Sequence, residues 1–185
     1  MNQINIRAAD RIPGWMMPEL LYHFAEMASR AETCAEIGCW RGRTTRVLAD
    51  HCRGTVYAVD TFEGSDGIRH EIEFMQRHTG RANWLQDEFN RNLAGLDNVK
   101  VMAMSSLEAA KLVADDSLDF ALIDAAHDFL SVSADIRAWW PKVKMGGVLC
   151  GHDYEFADVR CAVLAAFPDF RRVSPTLALW VVAKQ

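Results

Sequence analysis

The residues best suited to chemistry in this chain stand at the ends of short apolar runs. In Thr33-Cys34-Ala35-Glu36-Ile37-Gly38-Cys39-Trp40-Arg41-Gly42-Arg43-Thr44-Thr45, an apolar run holding Glu36 leads into a G-x-x-x-G turn and then a helix opening. Glycine reaches positive φ and admits a ligand where a Cβ would clash, and the first amides of a following helix present free N–H donors. Gly38 and Gly42 are therefore the expected floor of a ligand cradle, although many βα turns carry a glycine for the turn alone. Asp60 favours the cradle. It closes the next apolar run, Val56-Tyr57-Ala58-Val59-Asp60, about twenty residues on, where an acid accepts both hydroxyls of an adenosine ribose.

Later runs end in the same way. Ser105 follows Val99–Met104, Asp124 closes Phe120-Ala121-Leu122-Ile123, and His152-Asp153 follow Gly146-Gly147-Val148-Leu149-Cys150-Gly151. Ser105-Ser106-Leu107-Glu108 also has the S-x-x-E form of a capping box, which satisfies a helix's first amides without any ligand.

The elements that position these residues follow from periodicity. Leu20, Leu21, Phe24, Met27 and Ala28 recur at helical spacing within Pro18–Ala31, which predicts an amphipathic helix. Strands are predicted at Thr33–Ile37, Thr55–Asp60, Val99–Met104 and Leu118–Asp124, with a helix from about Thr44 to Asp50 after the glycine turn. Thr61–Asn98 is an excursion: a loop through Phe62-Glu63-Gly64-Ser65-Asp66-Gly67, then two polar helices, the second around Asn83–Leu96. Such an excursion suits acceptor recognition, and an ordinary crossover with a long loop would read the same. A helix carrying Val132, Ile136 and Trp139-Trp140 ends at Pro141, and Gly146–Gly151 makes the turn into the fifth strand. A helix from about Asp158 to Phe167 follows. Phe170–Val173 and Leu177–Ala183 are separated only by Ser174-Pro175-Thr176, too short for a helical crossover, so they are expected to pair antiparallel.

Five βα units and a terminal hairpin predict an α/β fold with a mostly parallel, doubly wound, seven-stranded sheet. Ligands of such sheets bind at the strands' carboxyl ends, where Gly38, Asp60, Ser105, Asp124 and His152-Asp153 converge. Ahead of the first helix, Trp15 in the turn Ile12–Pro18 has two readings, a lid over the site or an anchor pinning the turn to the core.

The chain's 185 residues, half of them apolar, suffice for one domain with a sizeable core, so residues 1–185 are read as a single domain. A formal charge of −5 with no lysine or arginine block excludes the electrostatic footprint of a nucleic-acid binder. Arg41, Arg43 and Arg46 read as solvated charges or as partners for an acidic small molecule. Five cysteines, Cys34, Cys39, Cys52, Cys150 and Cys161, form no C-x-x-C pair and read as reduced, mostly buried thiols. With neither a signal-like apolar segment nor a membrane-length run, a cytoplasmic location away from membranes is expected. Trp84, Trp139 and Trp140 are candidates for a homodimer face or for core packing.

With these motifs placed, the chain resembles the class I S-adenosylmethionine-dependent methyltransferases. More narrowly it is similar to a small stand-alone group with an I-D-x-x-H motif at the fourth strand. The resemblance rests on Glu36–Thr45, Val59-Asp60, Leu122-Ile123-Asp124-Ala125-Ala126-His127 and Gly146–Tyr154, and it extends to Ile12-Pro13-Gly14-Trp15 and the terminal hairpin. It implies a Rossmann-like sheet of order 3-2-1-4-5-7-6 and S-adenosylmethionine as cofactor. It implies that Glu36 and the Gly38, Trp40 and Gly42 loop hold the methionyl part, that Asp60 takes the ribose hydroxyls, and that Ser105 and Ser106 lie by the adenine. Asp124 would face the transferred methyl. Methyl transfer from a sulfonium needs positioning and acceptor deprotonation above all, and His127, with an ordinary pKa near neutrality, is the first choice of base. A loop-anchoring histidine is the other reading of His127.

The catechol-type and sugar-type O-methyltransferases, which the chain also resembles, place acids at the ends of strands four and five around a divalent ion. Asp124, His152 and Asp153 would be the ligands here, and Mg²⁺ the ion. The chain departs from the catechol-type pattern with a histidine for an acid and an aspartate for an asparagine, which leaves metal dependence open. The expected reaction is O-methylation of a small-molecule hydroxyl. A nicotinamide-dependent oxidoreductase is the alternative enzyme, but neither G-x-G-x-x-G nor Tyr-x-x-x-Lys occurs; a non-catalytic cofactor-binding scaffold is the alternative outside enzymes.

Overall fold

The computed structural model describes residues 4–64, 69–170 and 178–185. Six strands form one sheet: β1 (Thr33–Ile37), β2 (Thr55–Asp60), β3 (Val99–Ala103), β4 (Leu118–Ile123), β5 (Val143–Gly151) and β6 (Trp180–Ala183). Their order is β3-β2-β1-β4-β5-β6, with β1 to β5 parallel and β6 antiparallel to β5. The terminal strand thus sits beside the fifth, as the expected order requires. The strand expected at Phe170–Val173 and the turn after it fall, apart from Phe170, outside the described residues.

Eight helices are described: α1 (Arg7–Asp10), α2 (Pro18–Ala28), α3 (Arg43–His51), α4 (Arg69–Thr79), α5 (Trp84–Asn92), α6 (Ser106–Leu112), α7 (Phe129–Trp139) and α8 (Ala157–Ala166). They cover both faces because strand side chains alternate. Cys34, Val56, Phe120, Leu122 and Cys150 pack toward α1, α2 and α3, while Ala35, Ile37, Val59, Ala121, Ile123 and Leu149 pack toward α6, α7 and α8. The same alternation puts Glu36 on the α3 side, where the Thr45 hydroxyl meets it.

One expectation changes and two open readings are narrowed. Gly146 and Gly147 lie inside β5 rather than in a turn before it, because the β4–β5 register shifts between Leu118 and Phe120. Gly146 takes up the irregularity at φ 78°, and a Cβ on Gly147 would lie 2.8 Å from the Asp119 carbonyl. Part of the excursion is a buttress: Trp84, Leu85 and Phe89 of α5 pack with Cys39, Phe62 and Ile72 in a third apolar cluster behind the glycine turn, while Thr61 and Gly64 line a cavity at the strand ends. Finally, Trp84 and Trp139 are buried, so these two indoles are core and form no dimer face; Trp140 packs edge-on against Phe167.

Candidate active site

The glycine turn lies at the reversal point of strand order, with β1 between β2 and β4. Gly38 (φ 92°) is required there by close approach, since a Cβ would stand 2.1 Å from the Asp124 carbonyl oxygen of the neighbouring strand end. Trp40 (φ 49°) and Gly42 (φ 84°) complete the left-handed backbone, and the Gly42 amide donates to the Cys39 carbonyl at 2.7 Å. The turn feeds α3, whose N-cap Gly42 offers no side-chain acceptor. The first amides of α3 therefore remain as donors for an incoming group.

Asp60 holds this turn in place. Its Oδ2 accepts from the amides of Cys39 (2.8 Å) and Trp40 (2.9 Å), and its Oδ1 accepts from Phe62 (2.7 Å). Burial raises its pKa while these three amides lower it. Two carboxylate oxygens offer about four lone-pair sites, so with three taken by these amides Oδ1 keeps one for a ligand. Glu36 is more extreme: it is 1% exposed, and burial pushes it up to about 8, with the neighbouring Asp124 and Asp60 charges adding to the effect and the Thr45 hydrogen bond opposing it.

A cavity of about 540 Å³ opens in front of these groups, and Glu36, Gly38, Trp40, Asp60, Asp124 and His127 are among its lining residues. Three buried or half-buried acids facing one cavity cannot all ionise cheaply unless a cation joins them. The acids therefore fit a ligand that carries positive charge. Ser106 also lines the cavity and its Oγ accepts from Trp139 Nε1 at 2.8 Å. Ser105 is not among the lining residues; its hydroxyl accepts from the Glu108 amide and donates to the Glu108 carboxylate, completing the expected capping box.

At the opposite end a second cluster forms from the loops after β4 and β5. Asp124 directly follows β4, and burial lifts its carboxyl to about 6. His127 stands just before Asp128, the side-chain cap of α7. His152 and Asp153 directly follow β5, with Asp153 at φ 59°. His127 Nε2 donates to Asp153 Oδ2 at 2.8 Å, and His152 Nδ1 lies 3.0 Å from Asp153 Oδ1 and 3.6 Å from Asp124 Oδ1. The hydrogen bond to Asp153 raises the His127 pKa. Against the upward push of burial, both histidines hold Asp153 well below the usual carboxylate range. Half of the His127 side chain is exposed, and its ring stacks on Phe156 at 5.3 Å. One ligand atom each from Asp124, His152 and Asp153 lies within 4.8 Å of the others, the spacing needed to share one cation.

Sequence reasoning missed part of the wall. Gly14 and Met16 line the cavity from the N-terminal side, beside Trp15, for which a lid is one of the two readings. Trp15 is 65% exposed and packs at a tilt against Trp40, ring centroids 5.4 Å apart, so it lies over the site rather than anchoring the turn in the core. Phe156 and Met104 also line it and carried no signal beyond being apolar near a strand end. Each of the three arginines has an acidic partner: Arg41 pairs with Glu71, Arg43 with Asp10 and Arg46 with Asp50, and Arg43 also borders the cavity.

A family model described as a methyltransferase domain matches residues 35–154. Among solved structures, the O-methyltransferase NovP superposes with a TM-score of 0.67 at 17% identity, over 90% of this chain and 80% of that one. A protein from Corynebacterium glutamicum reaches 0.64 at 14% identity, over 99% and 92% of the two chains. The tRNA (m1A58) methyltransferase TrmI from Aquifex aeolicus reaches 0.61 at 13% identity, over 85% of this chain and 55% of that one. At such identities the likeness is one of fold. No curated protein matches the chain in sequence.

Proposed function

This chain belongs to the methyltransferase-domain family and is an S-adenosylmethionine-dependent enzyme; we propose that it methylates a hydroxyl of a small-molecule acceptor. The observation that carries this reading is the His127–Asp153 hydrogen bond of 2.8 Å at the rim of the cavity that the acids line. The cofactor supplies an activated sulfonium methyl, so the protein's tasks are to hold it, align the acceptor and receive a proton.

Each task falls to named groups. Glu36 and the turn from Gly38 to Gly42 hold the methionyl end, where the cofactor's ammonium stabilises the ionised form of a carboxyl that burial otherwise keeps protonated. Asp60 takes the ribose hydroxyls, beginning at the open acceptor site on Oδ1, and Ser106 borders the adenine. Asp124 faces the methyl. His127 accepts the acceptor's proton, with Asp153 fixing the ring and stabilising the imidazolium that forms. This is the part played by an orienting carboxylate in any base–acid pair.

A second reading concerns a metal. Asp124, His152 and Asp153 have the spacing to hold a divalent ion, which would lower the acceptor hydroxyl's pKa. The imidazole makes this set a better fit to a transition ion than to Mg²⁺, which prefers oxygen ligands.

The acidic net charge of −5 and the internally paired arginines support a small molecule over nucleic acid. The one sheet running from β1 to β6 supports treating residues 1–185 as one domain. Among the described residues no helix is long and apolar enough to cross a membrane, and all five cysteines are free thiols; both support a cytoplasmic setting.

The test is methyl transfer from labelled S-adenosylmethionine to a panel of phenols, sugars and polyketide alcohols, with matched amines, run with and without chelator. Transfer to an alcohol that survives chelation and is lost in His127→Ala supports the reading. Transfer to amines alone would overturn the oxygen assignment, and loss on chelation would move the base function to the metal.

A further inference from the structure

Arg43 opens α3 at the helix's positive end, where a cation is disfavoured, and yet its side chain is largely buried. The reason lies in what it gathers. Its Nη1 donates to the carbonyls of Asp10 (2.9 Å) and Ile12 (2.8 Å) and, more weakly, of Ala9 (3.4 Å). Nε donates to the Met16 carbonyl at 2.9 Å, and Nη2 to Asp10 Oδ1 at 2.8 Å. Gly14 rests on the aliphatic stem, for a Cβ there would lie 3.0 Å from Arg43 Cδ. Among the described residues, Arg43 is the one side chain that hydrogen-bonds residues 9–16. That segment buries Ala9, Ile12 and Met16 and carries the exposed Trp15 onto Trp40 of the glycine turn.

We propose that Arg43 is a positioning residue that fixes residues 9–16 as a strap across the cofactor cavity, with Trp15 closing it over the glycine turn. The inference rests on the assignment of this cavity to the cofactor. Arg43 itself borders the cavity beside Trp15 and Met16, but its hydrogen bonds go to the strap, so it acts by fixing that wall. A planar guanidinium with five donors can serve acceptors converging from several directions, whereas a lysine ammonium is a compact charge that cannot span them. The strap's grip therefore sets how readily the cofactor leaves, while the proton acceptor at the far rim is untouched.

The experiment compares wild type with Arg43→Ala, Arg43→Lys and Trp15→Ala, each first shown by circular dichroism to be folded at the working temperature. Stopped-flow displacement of S-adenosylhomocysteine should show dissociation faster by about tenfold in Arg43→Ala and Trp15→Ala, with Arg43→Lys between, since changes at one interface act mostly on the off-rate. The KM for S-adenosylmethionine should rise while kcat at saturation stays within about threefold, a split that a merely structural role would not produce. Hydrogen exchange of the ligand-free protein should show the amides of residues 9–16 exchanging faster in Arg43→Ala but not in Trp15→Ala. A folded Arg43→Ala with wild-type off-rate and KM would overturn the strap. Failure of wild type itself to bind S-adenosylhomocysteine would instead overturn the cavity assignment, and with it the strap's role.

Discussion

The two ends of the cavity are built on different principles. At the glycine turn, position is held by backbone: left-handed residues, the close approach of Gly38 to the Asp124 carbonyl, and three amides gathered by Asp60. At the other end, position is held largely by side chains from two loops, with His127, His152, Asp124 and Asp153 paired across them. A cradle for an invariant ligand gains from rigid backbone, whereas a proton acceptor has to change its charge during turnover and needs a titratable side chain with partial access to solvent. The comparison predicts that mutations at the two ends separate binding from turnover.

The sharpest test of that separation is His127→Ala. Removal of a general base costs roughly 10²–10⁴-fold in rate, so kcat should fall by that order while calorimetric affinity for S-adenosylhomocysteine stays at the wild-type value. A parallel loss of affinity would break the division between the ends.

Asp60→Ala should do the reverse. It removes the ribose acceptor and leaves three amides without their partner; hydrogen bonds to a charged group contribute about 1.5–3 kcal/mol each, so affinity should drop about a hundredfold or more. Asp60→Asn, which keeps one acceptor oxygen, should lose less. Near-normal binding by Asp60→Ala would show that the cofactor lies elsewhere.

A smaller effect is expected at Glu36. Its carboxyl, raised to about 8 by burial, is mostly protonated at pH 7 in the ligand-free protein and ionises against the incoming ammonium. Binding should therefore release a fraction of a proton near pH 7, seen as a dependence of the calorimetric heat on buffer ionisation enthalpy. The release should fade as pH rises through about 8, where the group is already ionised, and vanish in Glu36→Gln. Proton uptake instead of release would contradict the pairing.

The smallest effect is a shift of the pH–rate profile. Because Asp153 raises the His127 pKa and the base must be neutral to act, the rate should rise with pH through a midpoint above the ordinary histidine value of about 6.5. Asp153→Asn removes that charge, so the acidic limb should move to lower pH even as kcat declines. An unmoved limb would mean that another group controls it.

How much of this could be read in advance differs between the ends in the same way. The bounds expected for β1 and β2 match the structure, and the capping box at Ser105 closes as its spacing indicates. Gly38, Gly42 and Asp60 were legible because φ preference and strand-end placement are local properties that a linear pattern records. Acids and histidines at the other strand ends could be collected too, but their pairing could not. Which oxygen of Asp153 meets His127, and which meets His152, depends on how β4 and β5 lie side by side and on the left-handed turn at Asp153.

Alternation of apolar residues, glycine's conformational range and the shortness of each connection acted within a few residues, and so the sequence by itself determined the parallel sheet, its glycine cradle and the ring of strand ends. Only the tertiary structure decided what Arg43, Trp15 and α5 do. Arg43 finds its acceptors about thirty residues away in α1 and the following turn, Trp15 finds Trp40, and Phe89 of α5 finds the back of Gly42. The free energy of such contacts depends on geometry that many separately folded segments create together, and no spacing along the chain encodes it.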